Sequence, residues 1–401
     1  MSQPSASRAP LRRPSALRGL PRSAARSLWH TQREAVTPAP RGPAAFLRKQ
    51  FLPWLWSYLK VVGTPRQRFR EYQAPDTARP GVFSIPDSCV VALAADWGTG
   101  TDSAYRVADA IRAEQPDVTI HLGDVYYSGT TAEFRDYFLG PDDWPRGRLR
   151  GGTAGGARGA YALNGNHEMY SGGEGYFGHA LPALGQATSY LCLENSHWRI
   201  VGIDTGYYAK SFPFLELIFN FIRLHRANRR WLEKVVFADP ADRRPVILLS
   251  HHQWFSAYDS EYRRVGSELS PYLDRVLLWF WGHEHRFAGY APFGFNGRRV
   301  RARCIGHGGM PIELGKSPKR GDRPLVFTDE RKAGELDGEP IGYCGFALLR
   351  LNGAELRVEY FDETRKKLLE ERWSSGPGGV SGSVGSGSDL KTYRPLDALV
   401  T

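Results

Sequence analysis

The chain has 401 residues, with 53 Lys plus Arg against 42 Asp plus Glu, a formal net charge of +11 and four cysteines. So few cysteines exclude a small disulfide-stapled scaffold, and no apolar run approaches the roughly 20 residues that a bilayer-spanning helix needs. A hydrophobic content of 41% with 12% aromatics excludes wholesale disorder and leaves material for a sizeable core, in two to three average domains or one large α/β domain.

The first residues carry the charge. Residues 1–72 hold 14 Lys or Arg and two acids, Glu34 and Glu71, while the rest of the chain has 39 basic and 40 acidic residues. The basic excess describes a tail and not a folded face, so no nucleic-acid partner is expected. Residues 1–45, rich in Arg, Ser, Pro and Ala, read as a disordered basic tail. Organelle transit peptides share this composition, so import stays open; the lack of an apolar h-region disfavours a secretory signal. Residues 46–83 form an aromatic, basic segment. Across 46–63, Phe46, Phe51, Trp54, Trp56 and Tyr58 alternate with Arg48, Lys49 and Lys60. Such a stretch suits either a membrane interface, with peripheral contact, or a helix packed on the body. Pro53 breaks any continuous helix.

Residues 84–373 read as one α/β body, in which short apolar runs alternate with helical segments. Val90–Ala95 is a predicted strand. Ser103–Glu114 is a predicted helix, with Tyr105, Ala108, Ile111 and Arg112 at helical spacing and Pro116 stopping it. Further strands are predicted at Val118–Leu122, Tyr161–Leu163, Arg199–Ile203, Pro245–Leu249, Val276–Phe280 and Val300–Ile305. A late hairpin, Tyr343–Leu351 with Leu356–Phe361, is expected to turn at Asn352-Gly353. Residues 212–224 are more apolar than a surface helix needs and suit a flap, a membrane-touching patch, a partner surface or a buried helix. Arg229–Glu233 reads as a helix flanking the sheet. Residues 374–401 read as a Gly/Ser-rich flexible tail. There is no internal repeat.

Several predicted strands end in a short polar motif: Asp96-Trp97-Gly98, Gly123-Asp124-Val125-Tyr126-Tyr127, Asn164-Gly165-Asn166-His167-Glu168, Ser250-His251-His252 and Gly282-His283-Glu284-His285. In open α/β sheets, ligands gather beyond the carboxyl ends of strands, so five such ends converge on one mouth. Asp, Asn, Tyr and His offer oxygen and nitrogen to a pair of metals. The absence of Cys among them disfavours a thiolate zinc site or an iron–sulfur cluster. Singly each motif is weak, since Asp-Trp-Gly is an ordinary turn and His-His an ordinary surface or core pair. The ordered set is the signal.

That set resembles the calcineurin-like metallophosphoesterase superfamily, specifically its purple-acid-phosphatase-like branch, over roughly residues 85–310. The superfamily pattern is Asp-x-His, Gly-Asp, Gly-Asn-His-Asp/Glu, a His after an apolar strand, and Gly-His-x-His. Gly98 stands where the first His is usual, and Tyr127 falls three residues after Asp124; the purple-acid branch departs in the same two ways. The resemblance implies a four-layer αββα sandwich, two packed mixed β-sheets flanked by helices, in a single-domain form. It implies that Asp96, Tyr127 and His285 bind one metal, that Asn166, His251 and His283 bind the other, and that Asp124 bridges both. Tyr126 is then a neighbour without a role, and His252 faces substrate or simply packs. His167 contacts the phosphoryl group and donates the proton to the leaving oxygen. His307, in Cys304-Ile305-Gly306-His307-Gly308-Gly309, is a further substrate-contact candidate or a rim residue.

The implied cofactors are iron in the tyrosine-containing site and divalent Fe, Mn or Zn in the second. The implied reaction is hydrolysis of phosphate mono- or diesters by direct attack of a hydroxide bridging two metals, without a phosphoenzyme. Two alternatives stand beside it: a membrane-surface, lipid-type phosphoesterase, and a non-catalytic scaffold of the same fold. The low cysteine count fits a cytoplasmic setting.

Overall fold

The computed structural model describes residues 56–57, 59–61, 63–73, 79–151, 155–209, 222–295, 298–336, 338–376, 378–387 and 389–401. The expectations for residues 1–45, and most of those for 46–55 and 212–221, fall outside these. In chain order the strands are β1 (Val82–Ser84), β2 (Ser88–Ala94), β3 (Val118–His121), β4 (Ala160–Ala162), β5 (Leu191–Glu194), β6 (Arg199–Gly202), β7 (Val246–Ser250), β8 (Val276–Trp281), β9 (Phe287–Tyr290), β10 (Phe293–Phe295), β11 (Arg298–Ile305), β12 (Ile312–Glu313), β13 (Leu325–Thr328), β14 (Lys332–Leu336), β15 (Glu339–Gly342), β16 (Gly345–Asn352), β17 (Glu355–Asp362), β18 (Lys367–Gly376), β19 (Gly379–Val384) and β20 (Lys391–Thr392). The helices used below are α1 (Asp102–Ala113), α2 (Thr131–Tyr137), α3 (Asn166–Tyr170), α4 (Leu181–Leu184), α5 (Arg226–Trp231) and α6 (Arg263–Leu269).

Two large mixed sheets pack face to face. One runs β1-β5-β6-β7-β8-β11-β9-β13-β20 and the other β19-β18-β17-β16-β2-β3-β4. The parallel run β6-β7-β8-β11 lies inside the first, and the parallel run β2-β3-β4 forms one end of the second. Alternation along each strand builds the layers. Val91 and Leu93 of β2, Ile247 and Leu249 of β7, and Leu278 and Phe280 of β8 fill the core between the sheets. Their neighbours Ala92, Ala94, Val246, Leu248, Trp279 and Trp281 face the outer layers, against Val107 and Ile111 of α1, Trp231 of α5, and Val265 and Leu269 of α6. Strands covered on both faces read as continuous apolar runs, which is why they were legible. Each fully buried aliphatic side chain contributes about 1.5–3 kcal/mol. The fold is the expected four-layer αββα sandwich.

Local chemistry sets the helix ends. The Thr101 hydroxyl accepts from Ala104 N–H (3.2 Å) and starts α1. Thr130 and Glu133 form a reciprocal capping box on α2. The late hairpin is β16–β17, with Asn352 opposite Glu355, so Gly353-Ala354 makes the turn, one residue later than expected. Gly353 takes the positive φ of 57° that the tight turn requires.

The C-terminal segment departs from the expectation of a flexible tail. β18 runs to Gly376 and pairs with β19 through a hairpin in which Trp373 lies opposite Gly382. A Cβ on Gly382 would meet the Trp373 ring. The glycine is there to let an indole lie across the strand, and composition alone reads that need as looseness. Beyond it, β20 crosses to pair with β13 of the other sheet, and Leu390 and Leu399 are buried.

Candidate metal centre

Parallel strands deliver the motifs to one mouth. Asp96 follows β2, Asp124 follows β3, Asn166 opens α3 after β4, His251 follows β7, and His283 and His285 follow β8. Three of these residues turn the chain in the left-handed region: Asp96 at φ 56°, Asp124 at 74° and His283 at 66°. Asp and His are among the non-glycine residues that tolerate this conformation.

The first cluster surrounds one phenol. The Tyr126 hydroxyl donates to Asp96 Oδ1 at 2.8 Å and lies 3.3 Å from Asp124 Oδ2 and 2.9 Å from His285 Nε2. Tyr127 contributes its main chain: its carbonyl lies 2.6 Å from His167 Nδ1, and its N–H donates to the capping-box carboxylate of Glu133. The structure brings the Tyr126 phenol to this cluster, where the family resemblance implies Tyr127. Glu133 also accepts from Ser128 N–H (3.1 Å), so the helix cap fixes the loop that aims Tyr126 inward.

The second cluster centres on Asn166. Its Oδ1 lies 2.9 Å from both His251 Nε2 and His283 Nδ1. Its amide nitrogen donates to the Tyr170 hydroxyl (2.9 Å), which fixes the amide with its oxygen toward the histidines. Ligating atoms of His251, His252 and His283 fall within 4.8 Å of one another, as do those of Asp96, Asp124 and His251. Asp124 lies between the groups: its Oδ2 is 3.3 Å from His251 Nε2 and 3.7 Å from His167 Nε2, and its Oδ1 accepts from His167 N–H at 3.0 Å.

Asp96 and Asp124 are both fully buried. Burial alone would raise the Asp124 pKa, but His251, His167 and His283 outweigh it and hold the carboxyl well below its usual range. Burial disfavours charge on His251 as well, yet Asp124, Asp96 and Glu168 lift it to about 9. Burial and the two carboxylates push the Tyr126 phenol upward. His121, enclosed behind the site, is driven down to about 3 by burial and stays neutral.

Two paired buried carboxylates need positive charge nearby. The His252 Nε2 is also buried without a hydrogen-bond partner among the described residues, while its Nδ1 lies 3.1 Å from the Thr205 hydroxyl. A carboxylate pair, an amide oxygen and imidazoles, one with an orphaned nitrogen, make a donor set that fits metal cations.

His167 is where a substrate contact is expected, beside Asp124 and tilted against the Tyr126 ring at 4.3 Å. His252 is buried within the histidine cluster. His307 is not brought to the mouth. It is buried, stacked on Phe287 at 5.0 Å, and packed against Gly345. Burial pulls its pKa to about 4, which keeps the enclosed ring neutral.

Three supporting residues carried no signal of their own. Glu168 Oε2 accepts from Asp124 N–H (3.1 Å) and Gly165 N–H (2.9 Å), tying two site loops together. The Tyr262 hydroxyl lies 3.0 Å from His283 Nε2 and orients that ring. Thr205 holds His252 through both its backbone N–H and Nδ1. Of these, only Glu168 lies inside a motif.

No curated protein sequence matches this chain. Among solved structures it is similar to the purple acid phosphatase PPD1 from yellow lupin (Lupinus luteus) seeds, at 16% identity and a TM-score of 0.46, covering 71% of this chain and 53% of the lupin enzyme. The chain thus spans about half of that enzyme. It is also similar to PhoD, at 14% identity and a TM-score of 0.43 over 82% of this chain and 76% of PhoD. A dimetal phosphatase from Danio rerio aligns at 12% identity and a TM-score of 0.39, over 69% of this chain and 96% of the other. The sequence profile described as calcineurin-like phosphoesterase matches residues 90–287, a span that holds every clustered side chain above. Over those residues this chain is similar to the calcineurin-like phosphoesterase family.

Proposed function

We propose that the protein is a metal-dependent phosphoric ester hydrolase with a dinuclear site of the purple-acid-phosphatase type. One observation carries the reading: two fully buried carboxylates, Asp96 and Asp124, share a mouth with Asn166, His251, His283 and His285. Asp96, Tyr126 and His285 would hold one ion; Asn166, His251 and His283 would hold the other, with Asp124 between them. The Tyr126 phenol among three other donors favours iron in the first site, with Fe, Mn or Zn in the second. A bound metal pair supplies positive charge for the phosphoryl oxygens and a water nucleophile of lowered pKa.

The chain's own residues do the rest. His167, held through Nδ1 by the Tyr127 carbonyl, keeps Nε2 toward the mouth, where it can give a proton to the leaving oxygen. Tyr262, Glu168 and Thr205 keep the rings and loops in register. Among the described residues no Ser or Cys stands at the cluster as a nucleophile, which favours direct attack by water over a phosphoenzyme.

The test begins with metal content. Purified protein, without added metal, is expected to carry about two ions per chain by mass spectrometry, as a two-metal site requires, and to hydrolyse members of a panel of phosphate mono- and diesters. Asp124→Asn and Asn166→Ala are expected to lower turnover at least a hundredfold, as loss of the bound metals implies. A protein that takes up no metal after reconstitution, or metal-loaded protein that is inert on the whole panel, would favour the scaffold reading.

A further inference from the structure

We propose that the strap from Trp56 to Tyr72, together with the arginines beside it, is a docking surface for an anionic lipid bilayer. The inference does not depend on the hydrolytic reading, and it concerns what the mouth of the site faces.

The strap runs along the loops that follow β3, β4 and β6, of which the first two carry residues of the metal centre. Ser57 Oγ donates to Ser128 Oγ (2.9 Å), in the loop after β3 that carries Tyr126. Gln67 N–H donates to the Gly172 carbonyl (2.8 Å), just past α3. Tyr207, in the loop after β6, donates its hydroxyl to the Gln67 carbonyl (3.0 Å). That loop in turn packs on the metal-site loop, since a Cβ on Gly206 would meet the Asn164 and Gly165 carbonyls. Phe69 anchors the strap by stacking on His225 (4.0 Å) and Tyr190 (5.7 Å).

What the strap shows to solvent is amphiphilic. Trp56 is 64% exposed and Leu59 55% exposed, and they sit three residues apart in a helical turn, on one face. Lys60 Nζ lies 5.1 Å above the Trp56 ring. Farther along, Arg66 lies over the rings of Tyr207 and Tyr208, and Arg223 lies over the Tyr208 ring at 4.3 Å. Arg66, Arg68, Arg226, Arg229 and Arg230 are exposed. Burial and the combined field of Arg226, Arg223 and Arg229, against Glu71, keep His225 below its ordinary pKa. Glu268 is engaged by Arg264 at 3.2 Å and Arg229 at 3.7 Å. The chain before the strap adds ten Lys or Arg and one acid in residues 1–55.

Indole and leucine at the headgroup boundary, with Lys and Arg reaching lipid phosphates, is the chemistry of an interfacial anchor. Nucleic acid would use the arginines but has no need of Leu59. No helix among the described residues is long and apolar enough to cross the membrane.

The experiment is co-sedimentation of the full chain with vesicles of phosphatidylcholine alone and of phosphatidylcholine mixed with phosphatidylserine. Binding to the mixed vesicles, weakened by salt, is expected, with little binding to neutral ones. Trp56→Ser with Leu59→Ser is expected to lower the partition coefficient about tenfold, and Arg66→Glu with Arg68→Glu by about tenfold or more. Both pairs are exposed, so an unchanged thermal melt and unchanged metal content check that the fold is kept. No binding to anionic vesicles, or equal binding to both kinds, overturns the proposal. So does wild-type partitioning of both double variants, which would assign the attraction to residues before the strap. A DNA duplex that binds the Trp56→Ser/Leu59→Ser variant as tightly as wild type, and displaces wild type from vesicles, would assign the face to nucleic acid instead.

Discussion

The phenol of Tyr126 touches Asp96, Asp124 and His285 together, and its neighbour meets the site through backbone atoms. If the first metal is ferric iron bound by a phenolate, the colour of the protein follows that one side chain. Tyr126→Phe is expected to abolish a visible phenolate-to-iron absorption band and reduce iron content, while Tyr127→Phe keeps both. The reverse pattern would favour Tyr127, as the family resemblance implies. Spacing counts positions from Asp124; it cannot say which phenol turns inward once β3 has ended at His121, because alternation no longer operates there. The carboxylates, Asn166 and the histidines are less exposed to this ambiguity, since each sits within three residues of a buried strand or at a helix start.

At the level of elements, the parallel strands were legible because both faces are buried and the runs are apolar throughout. The β18–β19 hairpin was not, because a strand built to accommodate a bulky ring has the same composition as a linker. Gly382 puts that explanation to the test. Gly382→Val sets a branched side chain against the Trp373 ring, which is itself buried, and is expected to cost about 1–3 kcal/mol by urea denaturation. Gly385→Val, where the nearest atom to a Cβ is 3.6 Å away, is expected to cost less than half as much. Equal effects would show that chain stiffness, and not the indole, governs this hairpin. His307 is a comparable case: a Gly-rich turn after a strand reads as a rim, but Phe287 and Gly345 close over it.

Across the whole molecule, one buried ion pair joins the two sheets. Arg303 of β11 and Glu371 of β18 are both fully enclosed, with Nε–Oε1 at 2.7 Å and Nη2–Oε2 at 2.9 Å. The other guanidinium bonds go to the carbonyls of Tyr290, Ala302 and Leu399. Tyr360 and Trp373 donate to the carboxylate. Removing one partner strands a buried charge, so Glu371→Leu alone is expected to destabilise by about 3–5 kcal/mol. The double change Arg303→Met with Glu371→Leu is expected to recover most of that loss in the same denaturation measurement. An unrecovered double variant would mean that the carbonyls left by Arg303 matter more than the charge. This pairing lay beyond sequence reasoning because its partners are 68 residues apart in different sheets.

The left-handed turns at Asp96, Asp124 and His283 bear on redesign. At these positions the side chain that offers a donor atom also has to tolerate an unusual backbone, so two demands fall on one residue. Asn166, His251 and His285 have no such backbone demand. Anyone seeking to change which ion the centre accepts has the freer choice at those three: a substitution there alters the donor while leaving the loops that carry the carboxylates in their present course.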